Sequence, residues 1–312
     1  MILDPVFLLL LAVALLLDAL LGEPDWLWNR VPHPVVAMGR LIDRLETLMN
    51  KGAQRRVAGI AALALLLLLT GAVAAIPVLL PNGWIIDVLL GAVLLAHRSL
   101  VQHVGAVADG LTQSLAEGRR AVSMIVGRDP KALDQAGVSR AAIESAAENF
   151  SDGLVAPAFW FAIAGLPGIA IYKAINTADS MIGYRTERHL EFGWAAARLD
   201  DLVNLVPARL TGLLFCLVGG GMRAVKIMRR DAGMHRSPNA GWPEAAMAAS
   251  LDAALAGPRL YPGMAPVNDP FMHAEGRKDL GPADIRKAVA LLWRAWAALV
   301  IAALAVAAIA VI

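Results

Sequence analysis

The chain predicts an all-α, multi-pass integral membrane protein, and three observations carry that prediction. Of its 312 residues 58% are hydrophobic and only 17% charged, against about 25% charge in ordinary soluble domains. The apolar residues gather into runs near the length a bilayer crossing needs, about 20 residues. Alternating strand patterns are scarce. A net charge of +2 gives no electrostatic case for nucleic acid. The one cysteine, Cys216, sits in an apolar run; it excludes an intrachain disulfide framework and a Cys-cluster metal site, and reads as a small buried hydrophobe.

The chain opens MILDPVFLLLLAVALLLDALLG. Its first charge is acidic and no small-residue cleavage site follows, so it reads as a retained span over about 4–21. Gly22-Glu23-Pro24 ends that run, and Trp26 and Trp28 read as interfacial anchors. Pro32-His33-Pro34 pins an extended segment in which His33 reads as structural. Runs 57–80 and 84–101 are spans, and Pro81-Asn82-Gly83 turns between them to make a helical hairpin. Val138 to Ala147 reads as a helix capped by Ser139. A weaker run, 154–172, is interrupted by Pro157 and by Gly165-Leu166-Pro167-Gly168. Proline removes a backbone donor and clashes with the preceding turn, so this run is predicted to be broken; a re-entrant segment lining a cavity would tolerate that break. The run 205–222 is also weak. Trp242-Pro243-Glu244 opens another helix, with proline in its first turn. A last span covers 288–312.

Loop charge then sets orientation. Loops 22–56, 102–153 and 223–287 are basic, with Arg119, Arg120, Arg128, Lys131 and Arg140 in the second, while 81–83 carries no charge. The basic loops belong in the cytoplasm and both termini outside. The loop 173–204 falls outside if both weak runs span, and joins the other polar loops if they are re-entrant. Neither an internal repeat nor the inverted halves of a transporter is visible.

Four polar clusters stand against this apolar background, where charge is costly. The first runs from Asp18 to Asp43. In the second, Glu144 and Glu148 stand four apart, with Asn149 and Asp152 following. Such carboxylates repel unless a cation intervenes, and Mg²⁺ prefers hard oxygen ligands of this kind. The third and densest spans Tyr172 to Arg209. There Lys173, Arg185, Arg188 and Arg209 offer donors for phosphate or carboxylate oxygens. Asp179, Asp200 and Asp201 offer metal ligands, and Asn176, Ser180 and Tyr184 can orient them. Glu187 and Arg188 read as ordinary ion-pairing residues. In the fourth, Ser237-Pro238-Asn239 turns into a helix start that can bind an anion. The bottom-up reading is a membrane-embedded site that handles a metal and phosphate at the cytoplasmic face.

The segments GEP…HPVVAMGRLI, ESAAENFSDGLVAPAFW, YKAINTADSMIGYRTERHLEFGWAAARLDDLVNLVPARLT and SPNAGWPEAAMAASL, in this order, resemble the adenosylcobinamide-phosphate synthase family of cobalamin biosynthesis, the CobD/CbiB family. The likeness spans Asp18 to about Gly263 and is looser over 251–268; His189 stands where an aromatic residue is expected. The resemblance implies an inner-membrane ligase joining the carboxylate of adenosylcobyric acid to (R)-1-amino-2-propanol or its O-phosphate, with ATP and Mg²⁺. It also suggests other late cobalamin-pathway enzymes as partners, beside the lipid bilayer. On that basis Glu144, Asp152, Asp179 and Asp200 are expected to bind Mg²⁺. Lys173, Arg185 and Arg209 would grip phosphates. Asn149, Asn176, Ser180 and Tyr184 would orient oxygens, and Glu148 or Asp201 would act as base. Asp179 and Lys173 count as catalytic, while Ser237 and Asn239 would bind a second anionic group. The rival classes are a Mg²⁺-dependent alcohol-phosphotransferase or prenyltransferase, and a transporter.

Overall fold

A computed structural model describes residues 4–127, 129–258 and 269–311. Arg128 and residues 259–268, which fall in two of the basic loops, lie outside the described residues. Helix α1 (Pro5–Leu21) begins where an Asp4 carboxylate oxygen accepts the Val6 amide, has proline in its first turn, and stops at Gly22. A short turn, α2 (Asp25–Trp28), leads to α3 (Pro34–Met49), whose start is capped by His33: its Nδ1 accepts the Val35 amide at 3.2 Å. The His33 ring meets Trp28 edge-on at 4.5 Å, and burial lowers its pKa. Next come α4 (Arg55–Ala75), α5 (Trp84–Leu94), α6 (His97–Gln113), α7 (Leu115–Val122) and α8 (Gln135–Phe150). They are followed by α9 (Ala156–Ile182), α10 (Trp194–Val203), α11 (Leu205–Phe215), α12 (Gly221–Asp231) and α13 (Gly241–Leu251). Two strands of two residues, β1 (Leu255–Ala256) and β2 (Phe271–Met272), pair antiparallel before α14 (Pro282–Val311).

Among the described residues, five helical runs are long and apolar enough to cross a membrane: Arg55–Leu79, Trp84–Gln113, Gln135–Ile182, Leu205–Met234 and Pro282–Ala310. Pro5–Leu21 is a shorter apolar helix. The six predicted runs fall on these segments, and the protein is a multi-pass helical membrane protein.

Three local expectations need correcting. The helix over 135–150 is capped by Asp134, whose Oδ1 accepts the Gly137 amide at 2.7 Å; Ser139 is buried one turn further in. The run 84–101 is not one helix, because Leu95 is extended (ψ 152°) and separates α5 from α6. The turn around Asn82 (φ 57°) does join α4 to α5, but the two do not form a packed hairpin. Instead α4 packs on α9 and α3, while α5 packs on α1 and α9.

The contacts divide the chain into two compact units. Unit one holds residues 1–96, 156–204 and 302–312, and unit two holds 97–155 and 205–301. In unit one the core joins Ile42 and Leu45 of α3, Leu63 and Leu66 of α4, Ile182 of α9 and Phe192 before α10. Its α9 is sharply bent at Gly165 (φ 59°, ψ −148°), a backbone conformation open essentially to glycine alone. The chain returns on itself so closely that a β-carbon on Gly168 would strike the Trp160 carbonyl. The break read from Gly165–Gly168 is therefore real, while at Pro157 the helical run Gln135–Ile182 continues, directly after the π-helical turn Ser151–Val155.

In unit two, α11 and α12 both pack on α13, and α8 packs against α6, α7 and α13. A π-helical turn, Cys216–Gly220, follows α11, and Gly221 (φ 56°, ψ −147°) bends the chain into α12. Cys216 is buried, as expected, beside Met228. Buried His97 stands edge-on to Trp293 at 4.5 Å.

Candidate functional site

In unit one the C-terminal half of α9 and the whole of α10 share a polar face. Lys173, Asn176 and Ser180 recur at helical spacing along α9, and Asp200 of α10 stands one turn before Asn204, the residue that caps the end of that helix. The buried Tyr172 hydroxyl donates to Asn204 Oδ1 at 3.0 Å and pins the two helices together. Asn204 Nδ2 in turn donates to Asp200 Oδ2 at 3.1 Å, and Asn176 Nδ2 donates to Asp200 Oδ1 at 3.3 Å. Both oxygens of Asp200 are thus oriented by neutral amides. Burial pushes its carboxyl above the ordinary carboxylate range, and the charge of Asp201 adds to that; the two asparagine bonds oppose it. Asp179 lies within electrostatic reach of Asp200 and Asp201. Its carboxylate occupies the space over Gly183 that any larger residue would need. Asp201 is half-buried, 3.7 Å from Arg198. Lys173 is half-buried on α9, while Ser180, Tyr184 and Arg185 are exposed.

The loop after α9 is held by a different kind of contact. Arg188 Nε donates to Glu46 Oε1 at 2.7 Å, and a second guanidinium nitrogen donates to Oε2. That bidentate pair holds the Glu46 carboxyl down at about 2. Arg188 is an ion-pairing residue, as expected.

In unit two, Arg209 of α11 donates to the Leu205 carbonyl at 2.7 Å and to Asn239 Oδ1 at 3.4 Å. Its guanidinium lies 4.6 Å from the centre of the Trp242 ring. The turn before α13 is closed by Ser237 Oγ, which accepts the Asn239 and Ala240 amides, each at 3.2 Å. His235 Nδ1 accepts the Ser237 amide at 3.0 Å, which leaves its proton on Nε2, facing Glu244 Oε2 at 3.5 Å. Arg209, Ser237 and Asn239 therefore meet around one turn of unit two, although the sequence grouped Arg209 with Lys173 and Arg185, which belong to unit one.

The second cluster behaves differently. Glu144 and Glu148 do not share one environment: Glu144 is buried and its Oε1 accepts the Ala256 amide at 2.9 Å, whereas Glu148 is exposed. Asn149 donates back to the Ser145 carbonyl and hydroxyl at 2.9 and 3.0 Å. Asp152 is half-buried in the π-helical turn Ser151–Val155. Of the four expected Mg²⁺ ligands, Glu144 and Asp152 belong to unit two, Asp179 and Asp200 to unit one.

Among the described residues no three His, Cys, Asp or Glu side chains are gathered as a metal cage. That arrangement still suits Mg²⁺, which is commonly held by one or two carboxylates plus substrate phosphates. Asp179 and Asp200 fit this requirement best, since they are hard donors whose mutual repulsion a cation would relieve.

Sequence reading missed the residues that act at long range: Tyr172 and Asn204 as a buried pair, Glu46 under Arg188, and Glu244 facing His235. The one available signal was a polar residue with no local partner inside an apolar surrounding.

The fold and these two polar sites define a polytopic helical membrane protein that carries an acidic helix face in one unit and an arginine-centred cradle in the other. The chain belongs to the CobD/CbiB family: the model described as "CobD/Cbib protein" matches residues 11–292. It is 51% identical over 303 residues to Cobalamin biosynthesis protein CobD of Sinorhizobium fredii, covering 92% of this chain and 93% of that one. It is 53% identical over 299 residues to Cobalamin biosynthesis protein CobD of Rhodobacter capsulatus, covering 93% and 94%. No solved structure matches the chain significantly.

Proposed function

We propose that this CobD/CbiB-family protein is an ATP-dependent amide ligase of cobalamin biosynthesis, joining the carboxylate of adenosylcobyric acid to (R)-1-amino-2-propanol or its O-phosphate. An unactivated carboxylate does not form an amide in water at a useful rate, so ATP must first convert it into a mixed anhydride. Protein contributes to such phosphoryl chemistry mainly by positioning and charge neutralisation. The observation that carries the reading is the acidic face of α9 and α10, where Asp200 is oriented by Asn176 and Asn204 beside Asp179.

Asp179 and Asp200 would hold Mg²⁺, which when bound offsets the negative charge of the nucleotide phosphates. Lys173 and Arg185 grip those phosphates, and Ser180 and Tyr184 orient them. Asp201 takes the proton from the incoming ammonium before it attacks the activated carboxyl. Arg209, with Ser237 and Asn239, binds the second anionic group. The reaction belongs at the cytoplasmic face of the inner membrane, where ATP is available.

The test is to incubate purified protein with ATP, Mg²⁺, adenosylcobyric acid and each amine, and to identify products by mass. Asp179→Ala should lower product formation by at least about 100-fold while the amount of protein in membranes stays unchanged. Wild-type turnover in that variant would refute the role of Asp179, and absence of amide product with wild-type protein would refute the reaction.

A further inference from the structure

Unit one contains a cavity of about 340 Å³ that the proposed chemistry does not use. It is lined by α3, α4, α5 and α9, among others by Ala37, Met38, Leu69, Val73, Leu90 and Leu166. The one polar side chain in its wall is Thr70. A buried water needs two to four polar partners, so this wall does not retain water. An engineered apolar cavity of ~150 Å³ takes up benzene, and this space is more than twice that size. It is also continuous with the outside of the protein: Leu69, Val73 and Leu90 are 44%, 65% and 36% exposed. Leu69 and Val73 lie on a run long and apolar enough to cross the membrane, as does Leu90. At that depth the surrounding medium is acyl chain.

The helix above the cavity adds a second chemistry. Along α3, Pro34, Ala37, Met38 and Leu41 form the stripe that lines the space. Arg40 lies three residues from Ala37, and Arg44 three from Leu41, so helical spacing sets both cations on one side of that stripe, outside the lining itself. Both are exposed. An apolar slot open to the bilayer, with guanidinium groups along its border, has the two-part character of a lipid: a hydrocarbon tail and a phosphate head.

We propose that the cavity between α3, α4, α5 and α9 binds one glycerophospholipid, with an acyl chain in the slot and the phosphate at Arg40 and Arg44. The lipid fills the space that α3, α4, α5 and α9 leave between them. This inference is independent of the ligase reading, since its readouts are lipid retention and stability.

The test uses the full chain released from phospholipid nanodiscs into native mass spectrometry, with thermal unfolding in detergent with and without added phospholipid. Wild-type protein should retain one tightly held phospholipid and gain Tm on lipid addition. Thr70→Trp, which plugs the slot, should retain none and show no lipid-dependent gain; Val73→Trp replaces it if that variant does not fold. Arg40→Ala/Arg44→Ala should bind the phospholipid roughly tenfold more weakly. The proposal is overturned if the plugged variant keeps the lipid and its Tm gain, or if the paired arginine variant binds as wild type does. It is equally overturned if the retained species is a free fatty acid, detergent or a second copy of the chain.

Discussion

The acidic face of α9 and α10 and the charged knot beside α12 use similar side chains in opposite ways. In the knot, opposite charges face each other directly. Arg230 pairs with buried Asp231 at 2.6 Å and with Glu275 at 2.8 Å. Asp231 also accepts the His273 amide, and Asp252 is held by Arg223 and His273, each at 2.9 Å. Arg230 holds the Glu275 carboxyl at about 2. These charges cancel one another and fasten β2 and its flanks to α12 and the end of α13. On the acidic face, Asp200 is oriented by two asparagines, so its position is set without cancelling its charge. Arg209 follows the same rule in unit two, being held by a carbonyl, an amide oxygen and an indole face. Charge positioned by neutral partners remains available to a ligand; charge matched by a counter-charge serves to staple the chain.

That contrast can be broken experimentally. A positioned charge should cost turnover when removed, and a staple should cost stability. After Asp179→Ala, the largest effect is expected from Arg209→Ala, which should raise KM for the phosphorylated amine roughly 10–100-fold, the worth of a charged hydrogen bond, with Tm nearly unchanged. A large fall in Tm without a change in KM would move Arg209 to the stapling class. Next comes Glu144→Ala, the exception to that rule, because its neutral partner is buried together with it. It leaves the buried Ala256 amide without its acceptor and should cost about 1–3 kcal/mol of stability, read as a lower Tm with turnover per folded molecule retained. Loss of turnover in fully folded protein would instead return Glu144 to the metal site.

The smallest effect is expected at Glu46. Its folded pKa of about 2 lies below the ordinary 4.5 because Arg188 favours the ionised form. The stabilisation is therefore complete above pH 4.5 and is lost as pH falls from there through about 2. Glu46→Gln should lower Tm slightly near neutrality, since the Arg188 half of the pair is exposed and screened by solvent, and its deficit should shrink across that acid window. A deficit independent of pH would show that packing, not charge, fixes the loop after α9.

What the amino-acid sequence reveals here follows the range of the interactions. Hydropathy is local, so all six apolar runs were legible, and Gly165-Leu166-Pro167-Gly168 gave away the break within α9. The grouping of Asp179, Asp200 and Asp201 was legible as polar density between apolar stretches. The cap of α8 was misplaced because Asp134 and Ser139 are both good capping residues, and only the backbone path decides between them. Interactions across the chain left no trace. Glu144 meets Ala256 over a separation of 112 residues, and Arg188 meets Glu46 over 142. The interruption at Leu95 was hidden for another reason: an apolar residue in extended backbone looks the same to hydropathy as one in a helix.

The corners at Gly165 and Gly221 have nearly the same dihedral angles, at a place where any side chain would be strained. Such a corner is dictated by stereochemistry and needs no neighbour to hold it. During synthesis, each of these apolar stretches would meet the insertion machinery as two jointed rods rather than one straight one. Mutational tolerance at those two codons should accordingly be narrow, whatever their distance from the chemistry.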